Sequence, residues 1–167
     1  FIMKRLLFPI LAVVVMAIAA CNPGITAVDY NDKIVNEQTI VYDKIEVLEN
    51  LINDDWENEE GVNKAFKEAI DACDASVKVL EELGAFKGDD TFQKSGIELF
   101  KTMKKLIENE YKELYQLYTK PYDEWEDSDF DYMYELWDAI DYSAVNTEDE
   151  FLKAQKDFAE ANNITLI

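Results

Sequence analysis

The chain has 167 residues, the size of one domain, and carries 36 acidic against 16 basic side chains, a net charge of −20. Such a surface repels nucleic acids and anionic headgroups. It therefore excludes nucleic-acid binding and leaves basic proteins, cationic peptides and divalent cations as partners. The chain contains no histidine, which excludes Ser-His-Asp and Cys-His hydrolases, the usual zinc sites and the Glu-x-x-His di-iron bundles.

Residues 1–20 have the pattern of an export signal. Lys4 and Arg5 precede an apolar run that continues to Ala20. The run from Leu6 to Ala20 has 15 residues, fewer than the roughly 20 that a helix needs to span a bilayer. The sequence Asn22-Pro23-Gly24 then breaks any helix. We therefore predict a signal peptide over 1–20 in preference to a transmembrane helix.

The sequence Ile18-Ala19-Ala20-Cys21 resembles the lipobox of bacterial lipoproteins. The resemblance implies that residues 1–20 are removed and that the Cys21 thiol carries diacylglycerol. It also implies that the new amine carries an acyl chain such as palmitate. Two or more acyl chains hold a protein stably at a membrane. Residues 21–26 would then form a lipidated tether. Asn22 after the cysteine favours the outer membrane and leaves the periplasmic and surface sides both open.

Apolar residues at heptad-like spacing predict four amphipathic helices, over about 27–53, 59–83, 91–120 and 128–162. Gly84 ends the second helix and Pro121 ends the third. Short joints between such helices predict an all-α fold, an up-down-up-down antiparallel four-helix bundle with a long fourth helix, over residues 27–167.

Four polar residues fall on the predicted core stripes: Gln38, Glu110, Glu148 and Gln155. In the third helix the stripe passes through Leu106, Glu110 and Leu117. Cys73 lies on the stripe of the second helix, which favours a buried structural thiol over a nucleophile.

Two sequences have the pattern of a helix-capping box. Asp90 with Gln93 predicts a cap at the start of the third helix. Thr147 with Glu150 has the same pattern inside the fourth helix and leaves two short helices as the alternative. The apolar register continues unbroken across Thr147, which favours one long helix.

The predicted topology places the joints after helices one and three together, at the end of the bundle farthest from Cys21. We call them the distal joints: Asp54–Glu60 and Pro121–Ser128. The joint Gly84–Asp89, with Phe86 and Lys87, would face the membrane.

Each distal joint places a tryptophan between acids. Carboxylates clustered on irregular backbone are typical of sites for hard cations such as calcium. The candidate metal ligands are Asp54, Asp55, Glu57, Asp123, Glu124, Glu126 and Asp127. The aromatic side chains would form a platform for a partner: Trp56, Tyr122 and Trp125.

The same residues also have a structural explanation. Acids in the first turn of a helix are favoured by the helix dipole. The remaining acids would form a solvated face, and the aromatic rings would stack as a cap over the end of the bundle.

A third hypothesis places carboxylates across the core, with Glu37 and Gln38 on the first helix and Glu108 and Glu110 on the third. Paired carboxylates carry out glycoside hydrolysis. A bundle core offers little open cleft, so this hypothesis ranks behind the binding functions.

Four stretches are similar to small bacterial surface lipoproteins of unknown function: Tyr30–Gln38, Phe86–Asp89, Glu108–Glu113 and Phe151–Ala159. The resemblance implies a lipid-anchored helical protein of the cell envelope and supplies no catalytic residues. The leading hypothesis is a non-enzymatic interaction module that meets a basic partner through its acidic, aromatic distal joints. The alternative is a lipoprotein that binds calcium or another divalent cation.

Overall fold

The structure, a computed structural model, describes residues 24–166, apart from the side chain of Tyr122. The predicted signal peptide, Cys21 and the first residues of the predicted tether lie outside the described residues.

The described chain is an all-α four-helix bundle. The first two helices are α1 (Ala27–Asp54) and α2 (Glu59–Leu83). The third helix of the bundle consists of α3 (Thr91–Leu106), a π-helical turn (Ile107–Tyr111, hereafter the π-turn) and α4 (Lys112–Tyr118). A 3₁₀ turn at Tyr122–Glu124 leads into the last helix, α5 (Asp127–Ala161).

The long fourth helix is confirmed. Thr147 lies within α5, where its hydroxyl donates a hydrogen bond of 2.9 Å to the carbonyl oxygen of Ser143. A threonine in a helix interior commonly makes this bond to the preceding turn, so Thr147 does not begin a new helix. The start of α5 has a capping box of its own, formed by Glu126 and Asp129.

The helices do not approach one another equally. The backbones of α1 and α2, of α2 and α3, and of α3 and α5 pack closely, whereas those of α1 and α5 come less close. Large polar side chains fill the space between α1 and α5, and they include the predicted core residues Gln38, Glu148 and Gln155, all buried. We call this side of the bundle the α1–α5 seam.

Phe86 closes the end of the bundle opposite the distal joints. Its ring centroid lies 5.2 Å from that of Tyr30 and 5.4 Å from that of Phe158, and it is only 6% exposed. Lys87 and Gly88 adopt positive φ angles of 52° and 91°, which form a tight turn that directs the ring inward. The Phe86 ring therefore points into the bundle, whereas Lys87 is exposed. That this joint faces a membrane stays a prediction.

The third helix departs from the predicted register at the π-turn. Beyond Leu106 the structure buries Ile107, Tyr111 and Leu114 in place of Glu110 and Leu117. A π-turn contains one residue more than an α-turn, so it rotates the residues that follow by about 100°. The predicted core positions of Glu110 and Leu117 were wrong for this reason.

The predicted capping box at the start of α3 was also wrong. Asp90 makes no side-chain cap hydrogen bond, and Asp89 Oδ1 accepts from the backbone nitrogen of Thr91 at 2.9 Å. Gln93 is buried, and its Nε2 donates to the carbonyl oxygen of Leu80 at 2.5 Å. A buried amide needs a partner, so Gln93 serves the contact between α2 and α3 and not the cap.

Cys73 lies in the core as predicted, with no exposed surface. Burial raises the pKa of its thiol to about 12. A thiol in such a site stays protonated at neutral pH and is a poor nucleophile.

Candidate binding surfaces at the acidic end and along the last helix

The first distal joint is built around Asn58. Its Oδ1 accepts from the backbone nitrogen of Gly61 at 3.0 Å and so caps α2. Its Nδ2 donates to Asp55 Oδ2, also at 3.0 Å. Asp55 thus stabilises the joint itself. Trp56, between these residues, is 37% exposed, and no ring contact of Trp56 occurs among the described residues.

The second distal joint buries its tryptophan further. Trp125 Nε1 donates to the carbonyl oxygen of Lys120 at 3.0 Å. Its ring stacks on Tyr118 with a centroid distance of 6.4 Å and lies 4.8 Å from Phe130. Trp125 therefore has the geometry of the aromatic cap that we considered as the structural alternative.

Glu126 also has a local structural role. Its side chain accepts from the backbone of Asp129, and its own backbone nitrogen donates to Asp129 Oδ2 at 2.8 Å. Lys120 Nζ lies 2.6 Å from the same Asp129 oxygen. These bonds, first of all the one from Lys120, lower the pKa of Asp129.

The two distal joints lie at the same end of the bundle. The ring of Phe66, near the start of α2, lies 5.9 Å from that of Tyr115 on α4. This contact places the start of α2 beside α4. Burial and the negative charge of Glu59 raise the pKa of Tyr115. The structure does not bring Trp56 and Trp125 into contact within the described residues.

The predicted acidic ligands are all exposed: Asp54, Asp55, Glu57, Asp123, Glu124, Glu126 and Asp127. Among residues 24–166, no Lys side chain lies within 4.0 Å of a carboxylate of the distal joints. In the same range, no three acidic or cysteine side chains come together in a way that could hold a metal ion. The calcium site stays a prediction that rests on composition.

Further exposed aromatic side chains lie along α5, where sequence reasoning assigned no site. Tyr132, Tyr134 and Tyr142 are 41%, 46% and 74% exposed. No Lys or Arg occurs between Pro121 and Leu152. The acidic, aromatic character of the distal end therefore continues along the outer face of α5. These tyrosines lie off the predicted core stripe, and this position in the sequence could have predicted their exposure.

A groove of about 310 Å³ lies between the π-turn and α5. We call it the π-turn groove, and its walls include Glu110, Glu113, Tyr132, Glu135, Leu136 and Ala139. Asn109, also at its edge, donates to the carbonyl oxygen of Lys105 at 2.7 Å. The prediction of a regular third helix placed Glu110 on the core stripe and so did not place it in this groove.

The α1–α5 seam holds the most strongly buried carboxyl group of the candidate residues. Glu148 is 6% exposed, and its Oε1 is sealed from solvent without a hydrogen-bond partner among the described residues. Burial raises its pKa to about 7, opposed by a hydrogen bond with Tyr42 and supported by the charge of Asp149. A second carboxyl, Glu49, accepts from the hydroxyl of Tyr111. Burial raises the pKa of Glu49 as well.

The carboxylates of the hydrolase hypothesis lie apart from one another. Glu37 Oε2 accepts from Ser76 Oγ of α2 at 2.9 Å. Glu108 is exposed and lies 3.9 Å from Lys104 Nζ. Glu110 lines the π-turn groove. These side chains therefore do not form the carboxylate pair that the hydrolase hypothesis needs.

Comparison with protein-family models, characterised proteins and solved structures gives no match to this chain. Within residues 24–166, no helix has the length and apolar character needed to cross a bilayer.

Proposed function

We propose that the protein is a lipid-anchored, non-enzymatic binding protein of the bacterial cell envelope, attached through Cys21. Its distal end binds a basic partner. The anchor is supported by the order of the basic residues, the apolar run and the Ile18-Ala19-Ala20-Cys21 sequence.

The observation that carries the binding function is the charge of the distal joints. Their carboxylates are exposed and have no Lys side chain within 4.0 Å among the described residues, whereas most other ion pairs run along the sides of the helices. Unpaired surface charge of one sign attracts a partner of the opposite sign and speeds its association. Trp56, exposed among these acids, adds an aromatic contact.

The binding function is tested with an octalysine peptide at physiological salt. The variant Asp54→Asn/Asp123→Asn/Glu124→Gln removes three exposed charges from the distal joints and leaves Glu126 and Asn58 in place as caps. We expect its affinity to fall about tenfold, because each exposed pair contributes a few tenths to 1 kcal/mol.

The matched control removes three charges elsewhere, in the variant Asp43→Asn/Glu46→Gln/Glu81→Gln. These side chains are exposed and lie away from the distal joints. Equal losses in the two variants would show attraction to the net charge alone and would contradict a binding site at the distal end.

Calcium binding is the alternative function, and a calorimetric titration with magnesium as control decides it. If the wild type gives saturable, calcium-selective heat and the distal variant gives none, calcium binding would replace binding of a basic partner as the proposed function. Weak heat of equal size for both metals would leave a screened acidic surface.

The anchor is tested by labelled palmitate in a bacterial host. Wild type and Cys73→Ser should incorporate the label and enter the detergent phase, since Cys73 is buried. Cys21→Ser should do neither. Label in Cys21→Ser would contradict the anchor.

A further inference from the structure

Glu148 is a buried carboxyl group at the α1–α5 seam that has no positive charge beside it. It is only 6% exposed, and its Oε1 is sealed from solvent without a hydrogen-bond partner within residues 24–166. No Lys side chain of that range lies within 4.0 Å of it: Lys44 of α1 pairs with Glu68, and Lys153 of α5 pairs with Asp157. An ionised carboxylate in such a place costs free energy until water or a cation reaches it.

The ionisable groups around Glu148 do not offset this cost. Tyr42 of α1 makes a hydrogen bond with Glu148 across the seam, and Asp149 is its neighbour on α5. The third helix also packs against α5. The residues that α3 buries include no ionisable side chain: Phe92, Gln93, Gly96, Leu99, Phe100, Met103 and Leu106. Burial is therefore the main influence, and it raises the pKa of Glu148 to about 7.

A second carboxyl group, Glu49, lies on α1 at the part of the seam nearer to the distal joints. It accepts from the hydroxyl of Tyr111 in the π-turn. Burial raises the pKa of Glu49, the bond with Tyr111 opposes the rise, and the charges of Asp141 on α5 and Glu46 on α1 add to it. Once ionised, Glu49 and Asp141 would repel each other across the seam, since like charges disfavour each other.

The other end of the seam is held by contacts that contain no carboxyl group. Gln155 donates to Asn31 at 3.1 Å, and the ring centroids of Tyr30 and Phe158 lie 5.3 Å apart. The backbones of α1 and α2, and those of α3 and α5, pack closely and do not depend on the seam. A separation confined to the part between Glu148 and Glu49 would therefore leave the rest of the bundle intact.

We propose that the α1–α5 seam is a pH-sensitive switch. The seam is closed while Glu148 is protonated, and it opens between Glu148 and Glu49 when Glu148 releases its proton to the solvent. Opening brings water to the carboxylate, and the contact of Gln155 with Asn31 acts as the hinge. The switch is independent of the proposed function, because it involves neither Cys21 nor the distal joints.

The direction and the size of the effect follow from the pKa of Glu148, about 7 in the closed seam against an ordinary value of 4.5. The protonated form favours the closed seam, so this stabilisation is fully present below about pH 4.5 and is lost as the pH rises to about 7. The two ionisation constants differ about 300-fold, which is the largest possible increase of the open population. Between about pH 5 and about pH 8 the open population should rise about 70-fold.

Thiol labelling of the full chain tests the switch. Ala144 and Ala159 are both buried on α5, each 2% exposed. Ala144 precedes Glu148 by one helical turn, whereas Ala159 lies beyond the hinge. The variants Ala144→Cys and Ala159→Cys each introduce one thiol, and peptide mass spectrometry reads its reaction with dithiodipyridine separately from Cys21 and Cys73.

The labelling rate divided by that of a free thiol at the same pH gives the open fraction. For Ala144→Cys we expect the rise of about 70-fold between about pH 5 and about pH 8, and at about pH 8 an open fraction at least about tenfold above that of Ala159→Cys. Glu148→Gln, added to Ala144→Cys, keeps the shape of the protonated side chain and should remove the rise. Glu150→Gln, exposed on the same helix, should keep it.

Equal open fractions for the two thiols at about pH 8 would show that they react only after unfolding of the whole bundle, and this result would overturn the switch. A rise that persists in Glu148→Gln would also overturn it, because another group would then control the opening. Circular dichroism and thermal unfolding check that each variant is folded. If Ala144→Cys is not, Ile140→Cys, buried one turn earlier on α5, takes its place with the same expected results.

Discussion

Gln155 of α5 donates a hydrogen bond of 3.1 Å to Asn31 of α1, and both side chains are buried. The bond joins the first and last helices across the α1–α5 seam, where their backbones approach less closely than those of the other neighbours. Buried polar pairs thus join the two helices alongside the ring contact between Tyr30 and Phe158, whose centroids lie 5.3 Å apart.

Breaking that pair should destabilise the fold. Gln155→Met keeps the volume of the side chain but leaves the buried Asn31 Oδ1 without its donor, so we expect a loss of about 1–3 kcal/mol in the free energy of unfolding. The double variant Asn31→Leu/Gln155→Met should recover most of the loss. Urea unfolding measures both, with the exposed Gln116→Met as control. Equal losses in the single and double variants would show a packing effect alone.

Glu148 should make the stability depend on pH. Its folded pKa, raised by burial to about 7, lies above its ordinary value of 4.5. The protonated form therefore favours the folded state. The resulting stability is fully present below about pH 4.5 and is lost as the pH rises to about 7, by on the order of 2–3 kcal/mol.

Glu148→Gln mimics the protonated side chain and should reduce this loss. Glu150→Gln, exposed on the same helix, should unfold with the same pH dependence as wild type. The measurement is the free energy of unfolding in urea at about pH 5 and about pH 8. A pH dependence in Glu148→Gln that equals that of wild type would assign the effect to other groups, of which Glu49 is the first because burial raises its pKa too.

The π-turn predicts that one deletion in the third helix is tolerated. Deleting the exposed Asn109 would restore a regular α-helix while Ile107 and Tyr111 keep their core positions. We expect a change in unfolding free energy within about 1 kcal/mol. Deleting the equally exposed Lys101 would rotate the residues after it by about 100° and should cost more than about 4 kcal/mol. Two equally damaging deletions would contradict the π-turn.

The two tryptophans of the distal joints should separate stability from binding. Trp125→Ala removes a ring that contacts Tyr118 and Phe130 and should cost about 2 kcal/mol of unfolding free energy. Trp56→Ala removes an exposed ring and should change stability by less than about 0.5 kcal/mol while it weakens octalysine binding. Thermal unfolding and calorimetry compare the two, and a large stability loss in Trp56→Ala would contradict its role at the surface.

The positions of the helices followed from local information. Apolar spacing placed α2 over Glu59–Leu83 and α5 as one helix across Thr147, and it put Gln38, Glu148 and Gln155 in the core. Such predictions succeed because apolar residues recur on the same face with every turn of an α-helix, so a long helix carries the same pattern many times. The acidic character of the distal joints could likewise be read directly from the sequence.

Features that the sequence did not predict came from single contacts between elements. Gln93 caps nothing because a carbonyl of α2 offers its amide a buried partner. Phe86 turns inward because the rings of Tyr30 and Phe158 complete its surroundings. No spacing along the chain records these neighbours.

The sequence by itself therefore determined the helical class, the order of the helices and the excess of acid over base, all of which are additive properties of neighbouring residues. Only the tertiary structure decided which carboxyl groups meet. One extra residue in the π-turn rotates the third helix, which removes Glu110 from the core, brings it beside Tyr132 of α5 and leaves Tyr111 facing Glu49. That rotation is a property of packing between helices, because the inserted residue is tolerated only where both sides of the turn keep their place in the core.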